Sequence, residues 1–413
     1  MPVDAYPLGV VPPLGQVPRF MYAQTIREER FGSPLQAFVT ECVEVPDIGS
    51  DECLILVMAA GVNYNGIWAA AGAPLNPIAF HRKEGDLSDF HIGGSDASGI
   101  VYRVGKDVRD VSVGDEVVVH GGWDSADEFV SSGGDMTLAP SFRAWGYETN
   151  YGSFAQFARV KGRQLLPKPP HLSWEAAAAY LVNSATAYRA LYGFPEHQIR
   201  ENDVVLIWGA AGGLGCYGVQ LCRLAGAIPI GVVSDDQRAE YCLKLGAKGV
   251  INRTRFNHWG QLPHWSDLPA YEEWLKGARA FGRALWDAVG ARRNPRIVFE
   301  HPGEDTIPTS CFVCDSGGMV VICAGTTGYQ ATLDLRHHWV RQKRLQGTHF
   351  ANLQQVRAVN ELMMQKKMDP CLTRVFTFAE IGLAHQLLAD NRHPGGNMAV
   401  LVSASAPGQG CKL

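Results

Sequence analysis

Residues 204–215 read VVLIWGAAGGLG. The first five are β-branched, aliphatic or aromatic, and a run that short and that apolar suits a strand buried on both faces. Gly209, Gly212, Gly213 and Gly215 then crowd a turn, with Ala211 and Leu214 among them. LGCYGVQLCRLA follows as a helix-forming run. A strand, a glycine turn and a helix together make a unit that holds a dinucleotide. The small residues let the backbone approach a pyrophosphate, and the helix N-terminus favours its charge. Gly209, Ala211, Gly212, Gly213, Leu214 and Gly215 are therefore the expected cofactor cradle. The spacing departs from the strict G-x-G-x-x-G, so its context has to carry the reading. That context is a second strand, PIGVVS, ending at Ser234 about 20 residues on, where ribose selectivity is set.

Outward from this turn, strands are expected at 204–208, 229–234, 249–252, 296–300, 319–324 and 345–349. They alternate with helical stretches, which implies a doubly wound parallel sheet. Residues 254–294 form a long insertion carrying Trp259, Trp265, Trp274 and Trp286. Residues before 190 are strand-rich, with glycine-hinged strands in HIGGSDASGIVYRVG, a strand in GDEVVVH and a polar loop over 121–144. The segment HLSWEAAAAYLVNSATAYRAL reads as one helix with Ser173 as N-cap. Residues 352–368 read as a helix and NMAVLVSA as a closing strand. The expected division is 1–190 with 352–413 as a catalytic and substrate domain, and 191–351 as the dinucleotide domain.

At 413 residues the chain has room for two or three domains. A net charge of −4 with no basic block points away from nucleic acid. No run of 18 apolar residues is present, so no membrane span is expected. The start of the chain lacks a basic region followed by an apolar core, and is not read as a signal peptide. Ten scattered cysteines suit reduced thiols in a cytoplasm. Cys311 and Cys314 form a lone C-x-x-C, read as two helical thiols rather than half of a zinc site.

The segments GDEVVVH, WGYETNYGSFAQF, VLIWGAAGGLG, INRTRFNHWGQLP, FEHPG, ICAGTTGY and GTHFAN together resemble the crotonyl-CoA carboxylase/reductase family of the medium-chain dehydrogenase/reductase superfamily. The resemblance spans roughly residues 20 to 403. It implies a β-rich GroES-like domain beside a Rossmann domain. It also implies reduction of a 2-enoyl-CoA by NADPH, CO2 fixation at the α-carbon, and a homotetramer. The tryptophan-rich insertion offers aromatic surface for such an assembly.

The residues carry an independent argument about metal. Zinc-dependent relatives place a cysteine after the first core strand and His-Glu in a G-H-E-x-x-G segment. Here Asn63 and Asn65 stand in the first region, and the second reads Gly94-Ser95-Asp96-Ala97-Ser98-Gly99. A Lewis acid at a carbonyl is not expected. This favours reduction of an alkene polarised by a thioester, which leaves an enolate at the α-carbon. Favouring CO2 over a proton by about a hundredfold needs about 2.7 kcal/mol of barrier difference. A side-chain amide can orient one CO2 oxygen.

By resemblance, Asn65 has this role, Glu148 and His349 hold an ordered water, and Tyr147 contributes its backbone N–H. Read without the resemblance, Asn63 and Asn65 suit turn formers, Glu148 a solvated loop carboxylate and His349 a core histidine. Ser234 replaces the acid expected for NAD, and Arg238 and Arg253 can meet a 2′-phosphate. Asp235 and Asp236 argue the other way, and the resemblance selects NADPH. It also gives Arg336 as a coenzyme A contact. Two other readings stay open: a reductase that only protonates its enolate, and a dinucleotide-binding protein with a structural or regulatory role.

Overall fold

A computed structural model describes residues 4–124, 128 and 131–412. Residues 125–127 and 129–130 of the stretch read as a polar loop lie outside that description. The chain divides into two compact units, one running to Val182 and resuming at Asn352, the other spanning Asn183–Ala351.

The first unit is built on the strand Glu52–Gly61, ECLILVMAAG, buried at every position. Leu54, Ile55 and Leu56 have no exposed surface. Each such side chain contributes roughly 1.5–3 kcal/mol relative to an exposed one. This strand pairs antiparallel with Ala97–Val104, Phe157–Lys161 and Asn397–Leu401. The pairing of Val400 with Ala60 shows why residues after 352 return to this unit. The sheet runs Leu165–Pro167, Glu116–Val119, Ala97–Val104, Glu52–Gly61, Asn397–Leu401, Leu372–Phe376.

The second unit holds a six-stranded parallel sheet in the order Gly249–Asn252, Ile228–Val233, Val204–Ile207, Ile297–Glu300, Met319–Ile322, Arg344–Gly347. All six strands fall within two residues of the expected positions. The order reverses around Val204–Ile207, so the glycine turn leaves the sheet beside its switch point, where open α/β sheets bind ligands.

Three expectations change. The stretch 171–191 is two helices, Trp174–Ala178 and Leu181–Tyr192, rather than one. Between them Tyr180 is fully buried and its hydroxyl donates to Asn360 Oδ1. The Asp96 carboxylate then accepts the Val182 N–H at 3.1 Å, as a cap for the second helix. The unit boundary falls at Val182 instead of 190, inside that second helix near its start.

The tryptophans of 254–294 also fold back on their own unit. Helix Leu268–Val289 buries Trp274. Trp259 packs edge-on to Trp208 with centroids 5.4 Å apart, and Trp286 donates to Asn294 at 2.8 Å. Trp265, at 61% exposed, stays open. The aromatic surface invoked for assembly is therefore mostly internal. No described helix is long and apolar enough to cross a membrane.

Candidate active site

The strand Glu52–Gly61 delivers the chain into helix Asn65–Ala71. Asn63 is buried just before the helix, and its amide donates to Asp96 Oδ2 at 3.1 Å. Asn65 opens the helix, half-buried, and its Nδ2 donates to Ser95 Oγ at 2.6 Å. Ser95 in turn donates to the Trp145 carbonyl at 2.6 Å. The two residues standing where zinc ligands would be thus hold the two asparagines. Burial without a cationic partner pushes the Asp96 carboxyl up to about 8, against the donors Asn63 and Val182.

Trp145 is immobilised on all sides. It is fully buried, its indole N–H donates to the Arg159 carbonyl at 3.0 Å and its backbone N–H to Gly121 at 2.8 Å. Gly146 follows with φ of +69°, and a Cβ there would strike the Gly94 carbonyl oxygen. Any other residue would displace the turn. Trp68 lies three residues after Asn65, on the same helix face, and packs on Tyr147 at 6.4 Å. Glu148 Oε2 accepts the Ala144 N–H at 2.6 Å, and desolvation raises its pKa. The Tyr147 backbone N–H, expected to be a donor to substrate, closes a turn onto the Ala144 carbonyl at 3.1 Å.

In the second unit Gly209 has φ of +53°, and a Cβ there would lie 2.5 Å from His301 Nε2. Gly212 caps helix Gly213–Leu224. The first-turn N–H groups have no acceptor within the helix and suit a phosphate. Ala211 and Gly215 are buried in the turn, with Gly213 and Leu214 half-buried. At the end of the next strand the two acids are already occupied. Asp235 caps helix Asp236–Leu245 through the Arg238 N–H at 2.8 Å and binds the Arg238 guanidinium at 3.1 Å. Asp236 accepts from Asn252 at 3.0 Å and Arg255 at 3.3 Å.

Arg238 also reaches Ser234 Oγ at 3.3 Å. The half-buried Arg253 guanidinium makes no hydrogen bond or ion pair among the described residues; desolvation, and then the Arg253 charge, lower the pKa of half-buried His301. Of the two arginines, Arg238 is the one already held by an acid.

His349 and Arg336 also belong to the second unit. His349 is solvent-exposed, yet desolvation and then the Arg189 charge lower its pKa. Solvent access limits how far that shift goes. Arg336 is exposed and gives two of its nitrogens to Asp334, Nε at 3.0 Å and Nη2 at 2.6 Å. Asp334 also accepts from Tyr271 at 2.6 Å, and the Tyr271 hydroxyl meets His337 at 3.0 Å.

The sequence reading missed Glu300, fully buried behind the glycine turn. It accepts from Ser310 at 2.5 Å and Thr306 at 2.7 Å, and Ser310 accepts from the Trp208 indole at 2.8 Å. An acid ending an apolar strand, before His-Pro-Gly, was the available signal. Cys311 and Cys314 are buried, and desolvation pushes each thiol up to about 12, so they are inert. Among the described residues no group of three His, Cys, Asp or Glu could hold a metal ion.

Fold and glycine turn define a medium-chain dehydrogenase/reductase. Residues 49–170 match the alcohol dehydrogenase GroES-like domain and residues 213–365 the zinc-binding dehydrogenase family. The crotonyl-CoA carboxylase/reductase of Cereibacter sphaeroides is 54% identical over 405 residues, covering 98% of this chain and 93% of its own. A crotonyl-CoA reductase of Streptomyces avermitilis is 38% identical, covering 92% of this chain and 85% of its own. The structure of crotonyl-CoA carboxylase/reductase AntE in complex with NADP superposes with a TM-score of 0.94 at 55% identity, over 98% of this chain and all of that one. The chain belongs to the crotonyl-CoA carboxylase/reductase family.

Proposed function

We propose that this chain reduces 2-enoyl-CoA thioesters with NADPH and carboxylates them at the α-carbon, converting crotonyl-CoA to ethylmalonyl-CoA. One observation carries the reading. A zinc-family fold has Ser95 and Asp96 at ligand positions, and they anchor two side-chain amides. The glycine turn, the helix N-terminus and the unpaired Arg253 fit NADPH. Bound NADPH supplies a hydride to the β-carbon of the thioester. Asn65 keeps one amide N–H beyond the one given to Ser95, and donates it to a CO2 oxygen. Trp68 and Tyr147 exclude water beside it. The α-carbon electron pair forms the new C–C bond, and CO2 becomes the carboxylate. To Glu148 and His349 we assign an ordered water, and to Arg336 a coenzyme A contact shared with Asp334. NADPH oxidation that depends on crotonyl-CoA tests the assignment; a protein that binds NADPH but turns over no enoyl thioester would refute it.

A second reading, reduction with simple protonation, is favoured by the relatives named crotonyl-CoA reductase. Product mass with and without bicarbonate separates the two.

The ligand positions predict activity without metal. Protein treated with a chelator and dialysed should contain no stoichiometric zinc by elemental analysis and keep its full rate. Activity lost on chelation and restored by zinc would contradict this.

Among the described residues no disulfide joins any of the ten cysteines, which suits a reducing compartment, and we place the enzyme in the cytoplasm. We also assign it a homo-oligomeric state, a tetramer by family. The supporting surface is the edge strand Arg344–Gly347, which among the described residues pairs on one side only. Leu335, Trp339, Val340 and Leu345 are 60%, 61%, 64% and 44% exposed around it. Unpaired edges flanked by apolar side chains associate. Light scattering should give a multiple of the 45.0 kDa chain mass, and Leu345→Asp with Trp339→Asp should give a smaller species. A monomeric native protein would reject the assignment.

A further inference from the structure

We infer that Ser95 is a positioning residue for carboxylation: its hydroxyl sets which end of the Asn65 amide faces CO2. The inference rests on the role proposed for Asn65 and deepens it. A carboxamide has two nearly isosteric ends, an N–H2 donor and a carbonyl acceptor. Rotating it by half a turn exchanges them at little steric cost. Only the donor end can bind a CO2 oxygen, so an amide that rotates freely spends part of its time presenting the wrong group.

The surroundings of Asn65 remove this ambiguity. The Trp145 carbonyl can only accept a hydrogen bond. Ser95 lies 2.6 Å from it and has a single proton, which that carbonyl takes. Ser95 Oγ can then only accept from its other neighbour, so the Asn65 atom 2.6 Å away must be the nitrogen. Reversing the amide would set two acceptors against each other at that distance. Ser95 and Trp145 are both fully buried, so water cannot readily supply a substitute donor.

Trp145 itself cannot swing away, since its backbone N–H and indole N–H are both bonded. The chain of polarity runs from the Trp145 carbonyl through the Ser95 hydroxyl to the Asn65 amide. The same carbonyl belongs to the turn that carries Tyr147 and Glu148. One hydroxyl therefore ties the amide to the segment that presents those side chains. An alanine at position 95 keeps the backbone and packing but loses this direction.

The experiment measures product partition, ethylmalonyl-CoA against butyryl-CoA, by mass spectrometry at fixed bicarbonate. NADPH oxidation and the thermal midpoint are recorded alongside. Asn65→Leu, Ser95→Ala and Ser95→Thr are compared with the native enzyme. Ser95→Ala is expected to raise the butyryl-CoA to ethylmalonyl-CoA ratio by up to about tenfold, with kcat for NADPH oxidation within about twofold of native. Ser95→Thr keeps the hydroxyl and should stay near the native ratio. Should Ser95→Ala not fold, Ser95→Cys, with a weaker donor, should shift the ratio the same way.

If Asn65→Leu shifts the ratio and Ser95→Ala does not, the inference is overturned while the role of Asn65 stands. A native ratio in both variants removes the role of Asn65 and the inference with it. A slower Ser95→Ala with an unchanged ratio makes Ser95 a structural residue and also overturns the inference. So does a Ser95→Thr variant that matches the native thermal midpoint yet shifts as far as Ser95→Ala.

Discussion

Asn65→Leu is expected to go on oxidising NADPH with crotonyl-CoA while yielding mostly butyryl-CoA. Leu is close to Asn in size and fits the start of helix Asn65–Ala71, but it cannot donate to CO2. Hydride transfer needs the glycine turn and a thioester beside the bound cofactor, and Asn65 enters neither requirement. In the role proposed for Asn65, capture of CO2 depends on that donor, on a helix whose Trp68 packs against Tyr147. Losing one such hydrogen bond costs about 1–3 kcal/mol, or up to about two orders of magnitude in partition. His349→Asn and Glu148→Ala should shift the ratio in the same direction by less. An Asn65→Leu enzyme that no longer oxidises NADPH, with any residual product in the native ratio, would place Asn65 in substrate binding or folding.

The second large effect concerns the cofactor's extra phosphate. Arg253→Ala is expected to raise the Michaelis constant for NADPH roughly 10- to 100-fold and leave that for NADH nearly unchanged. The magnitude follows from a charge-assisted hydrogen bond of about 1.5–3 kcal/mol. Arg238→Ala should have the smaller effect, because Asp235 at 3.1 Å already balances its guanidinium. Steady-state kinetics with both cofactors measures the split. Equal changes for NADPH and NADH would show that Arg253 acts on the fold or on the shared part of the cofactor.

The order of these two arginines was not legible in the sequence. Arg238 follows the strand Ile228–Val233 and Arg253 follows its parallel neighbour Gly249–Asn252, and Asp235 and Asp236 in the sequence argue against a 2′-phosphate. Only the fold turns Asp235 into a helix cap and sets Asp236 against Asn252 and Arg255. What could be read directly was the parallel sheet. Its strands are short continuous apolar runs, a local property that survives without tertiary information. The break at Ala179–Tyr180 was hidden for the opposite reason. An alanine-rich run favours a single helix by propensity, and the interruption comes from Tyr180, Asn360 and Asp96, which meet only in the folded chain.

The same distinction governs the site. That Ser95 and Asp96 stand where zinc-dependent relatives carry His and Glu is visible from residue type alone. Their positive task was invisible, since Ser95 joins the Asn65 side chain and the Trp145 backbone carbonyl, 30 and 50 positions away in the chain. The Tyr147 N–H has its role by resemblance alone, and its turn bond to the Ala144 carbonyl could not be read from the sequence. Tryptophan content suggested an exposed aromatic surface, yet Trp259 and Trp274 are drawn into the interior by helix Leu268–Val289. Composition does not report which face of a helix its aromatics occupy.

The central claim is that the enolate is captured by CO2. Its most direct test is the mass of the product formed by the native enzyme from crotonyl-CoA and NADPH in saturating carbon-13-labelled bicarbonate. The account predicts ethylmalonyl-CoA carrying one labelled carbon, formed in step with NADPH oxidised. Butyryl-CoA as the only product, with no label, would contradict it.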